Sequence, residues 1–372
     1  MTGRLHFLLG RRAIWIAWRP GPGNCRRTGF APDSRQGTPA SPPRGIFAGV
    51  DPLSDLLRVV RLDGAFFYAV EAAGSWSIDT VAARELSPRI MPSAEHLISY
   101  HVVTHGRCYG GLIGEERVEL APGDVIVFPH GDAHIMASGP DLRATPHLHA
   151  STSTRYADTV VLGDHAPGDV SLVCGFLGCD RGPFNPLLAA LPRRMHMRGV
   201  SSAWLDGFTR RLTEEARLGH PGADSALTRL AELMFIEVLR RYLADLPPGQ
   251  TGWLAGLRDE VVGRVLRLFH AQPAHPWSLE EVAREVASSR SHVARQFTLL
   301  VGMPPMHYLT QWRMQIAANL LAQSGTKVAA IGAEVGYDSE AAFSRAFKKA
   351  TGRAPGAWRE ARRNARASAP SP

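Results

Sequence analysis

The feature that most constrains this chain is a repeat in its last third. Val293, Arg295, Phe297, Gly302 and Pro305 recur 50 positions later as Phe343, Arg345, Phe347, Gly352 and Pro355. The stretches Ser278–Phe297 and Lys327–Phe347 each read as helix, tight turn, helix, and the second is one residue longer in the turn. Ser278 is placed to cap the first helix, with Glu281 at the capping-box position, and Ser339 to cap the last one. Ala283 and Gly332 are small where two helices must approach closely. In each second helix an apolar pair four apart, Val293/Phe297 and Phe343/Phe347, faces the core. Helical geometry then fixes the opposite face. In the first unit that face carries Arg290, Ser291, His292, Ala294 and Arg295. In the second it carries Glu340, Ala341, Ser344, Arg345 and Lys348, with Lys349 near the same helix end and Arg353 just beyond.

Charge says what such faces would meet. The net charge of +8 is unevenly spread. Residues 1–48 hold 8 Arg and Lys against 1 Asp and Glu, residues 49–250 hold 18 against 24, and residues 251–372 hold 16 against 9. A basic segment joined to an acidic one suits a module that binds a polyanion. An arginine fork can bond guanine O6 and N7 in the major groove. Lys348, Lys349 and Arg353 can neutralise phosphates, which position a protein without reading sequence. A helical repeat with solvated charges is the plainer alternative, but two copies at matching spacing in a basic segment count against it.

The stretch Ile331–Pro355 resembles the C-terminal signature of the AraC/XylS family of transcription regulators almost throughout, and the resemblance covers about 100 residues. It implies seven helices and two recognition helices in successive major-groove segments on one face of double-stranded DNA. It also implies a long connecting helix at about Pro305 to Gln323. The base-contacting positions of the family fall on Ser291, Ala294 and Arg295, then on Ala341, Ser344 and Arg345. Ala294 and Ala341 cannot hydrogen-bond a base edge, so Arg295 and Arg345 are the expected readers.

Upstream, the pattern is that of short strands separated by turns, as in a β-sandwich or barrel. The runs are Gly64–Val70, His96–Val103, Arg117–Leu120, Asp124–Phe128 and Asp158–Leu162. A short helix, 51–58, precedes them behind a capping Asp51. Gly123–His134 resembles the second cupin motif, with Ser138 where asparagine is usual. The first cupin motif is poor. His101 and His105 are four apart in a strand, where a period of two places both on one face, and no glutamate stands at the right spacing. His147 and His149, with His134, Cys108, Cys174 and Cys179, offer further donors for zinc or iron. Turn histidines and buried thiols are the plainer account, and no metal or cofactor is expected. Tyr68, His101, His105, Phe128 and His134 are the candidate effector-binding residues.

After Pro192 the pattern reads as helical. Trp204, Phe208, Arg211 and Leu212 keep a helical period, and a helix over about Ser225–Leu243 has a broad apolar stripe that must be covered, by its own core or by a second copy. Leu246–Gln250 reads as a linker. Four scattered cysteines suit a reducing cytoplasm, and no run reaches the ~18 apolar residues that span a membrane.

The expected fold is α+β and multidomain: a disordered basic extension (1–48), a cupin-like double-stranded β-helix barrel as sensor (49–195), connecting and dimerisation helices with a linker (196–250), an all-α DNA-binding domain (256–362) with two helix-turn-helix units at about 278–305 and 327–355, and a disordered tail (363–372). The expected function is a cytoplasmic, nucleoid-associated bacterial regulator, an activator rather than an enzyme. It would be controlled by a small-molecule effector, and the resemblance implies a homodimer that engages RNA polymerase. The alternative is a cupin metalloenzyme, or a metal or redox sensor using Cys174 and Cys179, with a DNA-binding tail. No cysteine lies in 251–372, which counts against a repair protein with a reactive cysteine there.

Overall fold

The computed structural model describes residues 51–367, apart from 61, 93, 143–158, 164–168, 181, 200–206, 209, 212–213 and 215–220. The expected extension over 1–48, the end of the tail, and Asp158, His147, His149, Trp204 and Leu212 lie outside the described residues.

The first element among the described residues is helix α1 (Pro52–Val60), capped as expected: the Asp51 carboxylate accepts from Leu53 N at 3.1 Å and Ser54 N at 3.2 Å. The strands are β1 (Leu62–Ala73), β2 (Ser77–Thr80), β3 (His96–His105), β4 (Cys108–Leu112), β5 (Val118–Leu120), β6 (Val125–Phe128), β7 (His134–Ala137), β8 (Thr159–Gly163), β9 (Val170–Cys179) and β10 (Met195–Met197), with α2 (Ala83–Ile90) and α3 (Pro186–Ala190) between them. They form a six-stranded sheet ordered β10-β6-β3-β9-β1-β8 and a four-stranded sheet ordered β2-β7-β4-β5. Only β1 and β8 pair in parallel among these. This is the cupin-type barrel expected from the sequence. Gly131 shows why the motif needs its glycine: φ is +66°, and a Cβ would lie 2.5 Å from Ala83 Cβ and 2.7 Å from Leu97 O.

Strands β2, β4, β9 and β10 fall outside the runs marked in the sequence. β4 contains Gly110 and Gly111, which weaken any strand propensity. β10 lies where the pattern after Pro192 reads as helical; three residues are too few to carry a period, and pairing with β6 decides the matter.

The helices that follow are α4 (Ala223–Asp245), α5 (Trp253–Arg258), α6 (Glu260–Ala271), α7 (Leu279–Glu285), α8 (Arg290–Val301), α9 (Pro305–Gln323), α10 (Val328–Glu334), α11 (Glu340–Thr351) and α12 (Pro355–Ala367). From α6 onward these are the seven expected helices, and α9 has the expected bounds. The last, α12, runs past residue 362. The apolar stripe of α4 is split. Leu227, Met234, Phe235, Val238 and Leu239 are buried in the chain's own core, while Leu233 keeps 45% of its surface exposed. Each buried leucine contributes about 1.5–3 kcal/mol.

One apolar core runs without a break from α1 and β1, β3, β6 and β9 through α4 into α5, α6, α8 and the first half of α9. A second fills the barrel, and a third holds the second helix-turn-helix unit.

Candidate nucleic-acid interface and barrel interior

The second helices of the two helix-turn-helix units, α8 and α11, are built alike. Val293 and Phe297 on α8, and Phe343 and Phe347 on α11, are all fully buried. The exposed, half-buried and buried classes along 291–300 repeat residue for residue along 341–350. Ser289 Oγ accepts from His292 N and Ser339 Oγ from Ala342 N, both at 3.2 Å. Gly302 and Gly352 close the two helices in the left-handed region. Each helix is therefore started and stopped by local chemistry and aimed by its apolar pair.

Arg290, Ser291 and Arg295 are exposed on α8, with His292 and Ala294 half-buried beside them. On α11 Glu340, Ala341, Arg345, Lys348 and Lys349 are exposed and Ser344 is half-buried; Arg353 follows, also exposed. Every sequence-predicted DNA-facing residue thus stands at the surface or its margin. Arg290 lies 3.7 Å from Glu280, an exposed pair of little energetic weight. The faces differ at one end. Thr298 and Leu299 occupy the positions of Lys348 and Lys349, and Leu299 is 61% exposed. The cationic end of the second unit has no counterpart in the first.

The turns are Schellman motifs. Ser288 N donates to Ala283 O and Tyr337 N to Gly332 O, each at 2.9 Å, with Ala287 (φ 52°) and Gly336 (φ 83°) in the left-handed position. The extra residue of the second turn is Asp338. Ser278 caps α7 through Glu281 N at 3.1 Å, as expected. The Glu281 side chain does not complete a capping box; its Oε1 meets His275 Nε2 at 2.9 Å.

In the barrel, strand β9 lies between β1 and β3, so Cys174 is register partner to both Tyr68 and His101. His101 Nδ1 is 2.9 Å from Cys174 Sγ, and its Nε2 is 2.8 Å from His134 Nε2 on the opposing sheet. His134 Nδ1 is 2.9 Å from Asp132 O and its ring stacks on Phe128 at 4.0 Å. A carbonyl only accepts, so the direction of the whole chain follows. His134 carries its proton on Nδ1, His101 Nε2–H donates to His134 Nε2, and the Cys174 thiol donates to His101 Nδ1. Burial keeps every member neutral. It lowers His101, helped by His134, and lowers His134 to about 4 against the Asp132 carbonyl bond that raises it. Burial raises Cys174 and Tyr68, which also bond each other, and pushes Cys108 up to about 12.

Of the candidate effector residues, the structure brings together Tyr68, His101, Phe128 and His134. His105 is exposed at the end of β3. The register against β9 slips between Val103 and His105, and the extra residue turns His105 away from the face of His101. The donors form a chain rather than a shell: both nitrogens of His101 are engaged, and no group of three His, Cys, Asp or Glu side chains among the described residues is placed to hold a metal ion. Cys174 and Cys179 are no pair either. Five positions along one strand put them about 17 Å apart, beyond the ~7 Å reach of a disulfide. Around the chain, Val70, Val103, Ile126, Met136 and Leu172 fill the barrel. A cavity of about 570 Å³ lies elsewhere, lined by Asp79, Leu112, Ile113, Arg117, Ile135 and Asp141 among others, and by none of the five candidates.

Sequence reasoning missed the contacts between the barrel side and α9. Trp253 Nε1–H donates to Tyr308 Oη at 2.8 Å, Tyr308 O–H to His270 Nε2 at 2.9 Å, and His270 Nδ1–H to Asp55 on α1 at 2.9 Å. Burial lowers His270 and raises Tyr308. His270 stacks on Trp312 at 4.2 Å. One turn on, Gln315 Oε1 accepts from Phe184 N at 2.9 Å, and Asn319 donates to Val59 O. Positions 308, 312, 315 and 319 share one face of α9. Arg362 of α12 also pairs with Glu95. Nothing local in the sequence marks these contacts, which join residues up to 260 positions apart.

Comparison with known proteins agrees with this architecture. The cupin family model matches residues 51–244 and a helix-turn-helix domain model residues 282–361. The chain is 31% identical to an AraC-like transcription regulator of Streptomyces antibioticus, over 84% of this chain and 99% of that protein. It is 27% identical to the HTH-type transcriptional regulator AlkR of Acinetobacter baylyi, over 84% and 99%. Among solved structures it is similar to the DNA-binding domain of AdpA in complex with a target DNA, at 26% identity over 30% of this chain and 98% of that one, with a TM-score of 0.28.

Proposed function

Because the chain belongs to the AraC-like family of DNA-binding transcription regulators, we propose that α8 and α11 enter two successive major-groove segments on one face of the duplex. Arg295 and Arg345 read guanine edges, with Ser291 and Ser344 beside them. Arg290, Lys348, Lys349 and Arg353 hold phosphates, and Ala294 and Ala341 leave room for close approach. The observation that carries this reading is the residue-for-residue match in exposure between 291–300 and 341–350.

Control comes from the β domain, which takes a small-molecule effector rather than turning over a substrate. Its cavity of about 570 Å³ falls in the ~300–1,000 Å³ range of small-molecule sites. The grip of α1 and Phe184 on α9 supports transmission, since α9 carries both reading units. An effector must bind the two states unequally to act. The outer face of α4, with Leu233 exposed, suits a homodimer, and the regulator acts as an activator that engages RNA polymerase.

Selection from random duplex DNA tests the reading. The full chain is used because its core is continuous across both parts, and salt is held near physiological because it dominates such affinities. Enrichment of two short blocks about one helical turn apart is expected. A folded protein that enriches nothing, with or without small molecules, would overturn it.

A further inference from the structure

We propose that Arg313 and Gly336 are positioning residues that set the spacing and rotational phase between the two DNA blocks. The inference rests on the two-block reading above. The two units have separate cores. Val293 and Phe297 of α8 pack in the large core with Tyr308, Leu309 and Trp312, whereas Phe343 and Phe347 of α11 pack with Met314, Ala317, Ala318 and Leu321. The units therefore share α9 as a spine, and a single helix leaves the second unit free to rock about it unless something else ties the two together.

The tie is the segment Pro273–His275, which leads into the first unit. Arg313, midway along α9, donates from Nε to Pro273 O at 2.6 Å and from Nη2 to His275 O at 2.7 Å. From the other side the turn of the second unit closes on the same segment. A Cβ on Gly336 would lie 2.3 Å from Ala274 O, so no side chain fits. Tyr337, the next residue of that turn, has its ring centroid 6.0 Å from the Arg313 guanidinium carbon. Three consecutive residues at the entrance to the first unit are thus held between a spine arginine and the turn of the second unit.

The first unit serves as the control. Ala287 takes the place of Gly336 in the matching Schellman turn and carries its Cβ at φ 52°. The turn by itself admits a side chain; the approach to Ala274 does not. One base pair of spacing is about 3.4 Å, so a clamp that yields by that much admits neighbouring spacings.

The test uses the full chain and duplexes carrying the two selected blocks at the selected separation, one base pair closer and one base pair further apart. The wild type should prefer the selected spacing by tenfold or more. Arg313→Met, which keeps the length and apolar stem but donates nothing, and Gly336→Ala should each reduce that preference to threefold or less. Binding to a duplex with one block should stay within twofold of the wild type. Arg313→Lys, with a single point of attachment, should fall between. Unchanged spacing preference in a folded Arg313→Met would overturn the proposal, even were Gly336→Ala not to fold. So would a parallel loss on the single block, which would make these residues part of the unit's own folding. Failure of the wild type to select any blocks is a separate outcome, and it would sink the two-block reading and this inference together.

Discussion

Between pH 7.5 and pH 5 the chain should lose about 2 kcal/mol of stability through His134 alone. The side chain is fully buried, stacked on Phe128 and bonded on both nitrogens. Its pKa falls from 6.5 to about 4, chiefly because burial penalises the cation. A depressed folded pKa means that the unfolded chain takes up the proton first. The stabilisation is present above pH 6.5, declines as pH falls, and is exhausted below about pH 4. The full span of about 2.5 pH units is worth about 3 kcal/mol, of which about 2 kcal/mol is gone by pH 5. Protonation would also put a hydrogen on both nitrogens that face each other, His101 Nε2 and His134 Nε2, so the chain must break or reverse its direction through the other His101 tautomer. The measurement is urea unfolding of the wild type and of His134→Gln from pH 7.5 to 5, followed by tryptophan fluorescence. Other titrations largely cancel in the difference between the two proteins. That difference should shrink by about 2 kcal/mol over this range. Profiles that stay parallel to within about 0.5 kcal/mol would refute both the neutral assignment of His134 and the hydrogen-bond directions built on it.

Arg345→Ala should weaken binding to the selected sequence by about 1–3 kcal/mol and relax preference at one base, with random DNA little affected; equal loss on both, in a titration, would reduce Arg345 to a phosphate contact. Lys348→Gln with Lys349→Gln should lower the slope of log affinity against log salt by about 2, since each neutralised phosphate contributes about 0.9; an unchanged slope would place both lysines off the DNA. Ala287→Gly should raise the thermal midpoint, by relieving a left-handed alanine that costs about 1 kcal/mol. Part of the gain is offset by the greater freedom of glycine when unfolded, and a lowered midpoint would contradict the backbone assignment.

The helical third was legible because its information is local. Caps at Ser278 and Ser339, glycines at 302 and 352, and apolar pairs four apart all act within two turns of helix, and the structure reproduces them with α9 at its expected bounds. Exposure of the reading faces followed from the same periodicity. In the β domain β1, β3, β5, β6 and β8 were legible as strands, but β2, β4 and β10 were not, being short or glycine-bearing and dependent on partners distant in the chain, and neither was β9, whose two glycines and central place between β1 and β3 leave no alternation to read.

Tertiary structure alone decided which polar groups meet. That His101 joins His134 across the barrel, while His105 turns outward, depends on one extra residue in β3 relative to β9, and a strand's own sequence does not state its register. Asp55 reaching His270, and Asn319 reaching Val59, close loops of more than 200 residues that leave no periodic trace in the chain. The signature glycine at 336 was visible, but the reason for it was not: the turn conformation can be inferred locally, whereas the approach to Ala274 exists only once both units are packed on α9. Local chemistry thus determined the elements of the two helix-turn-helix units, and packing between elements distant in sequence determined how they are held relative to each other.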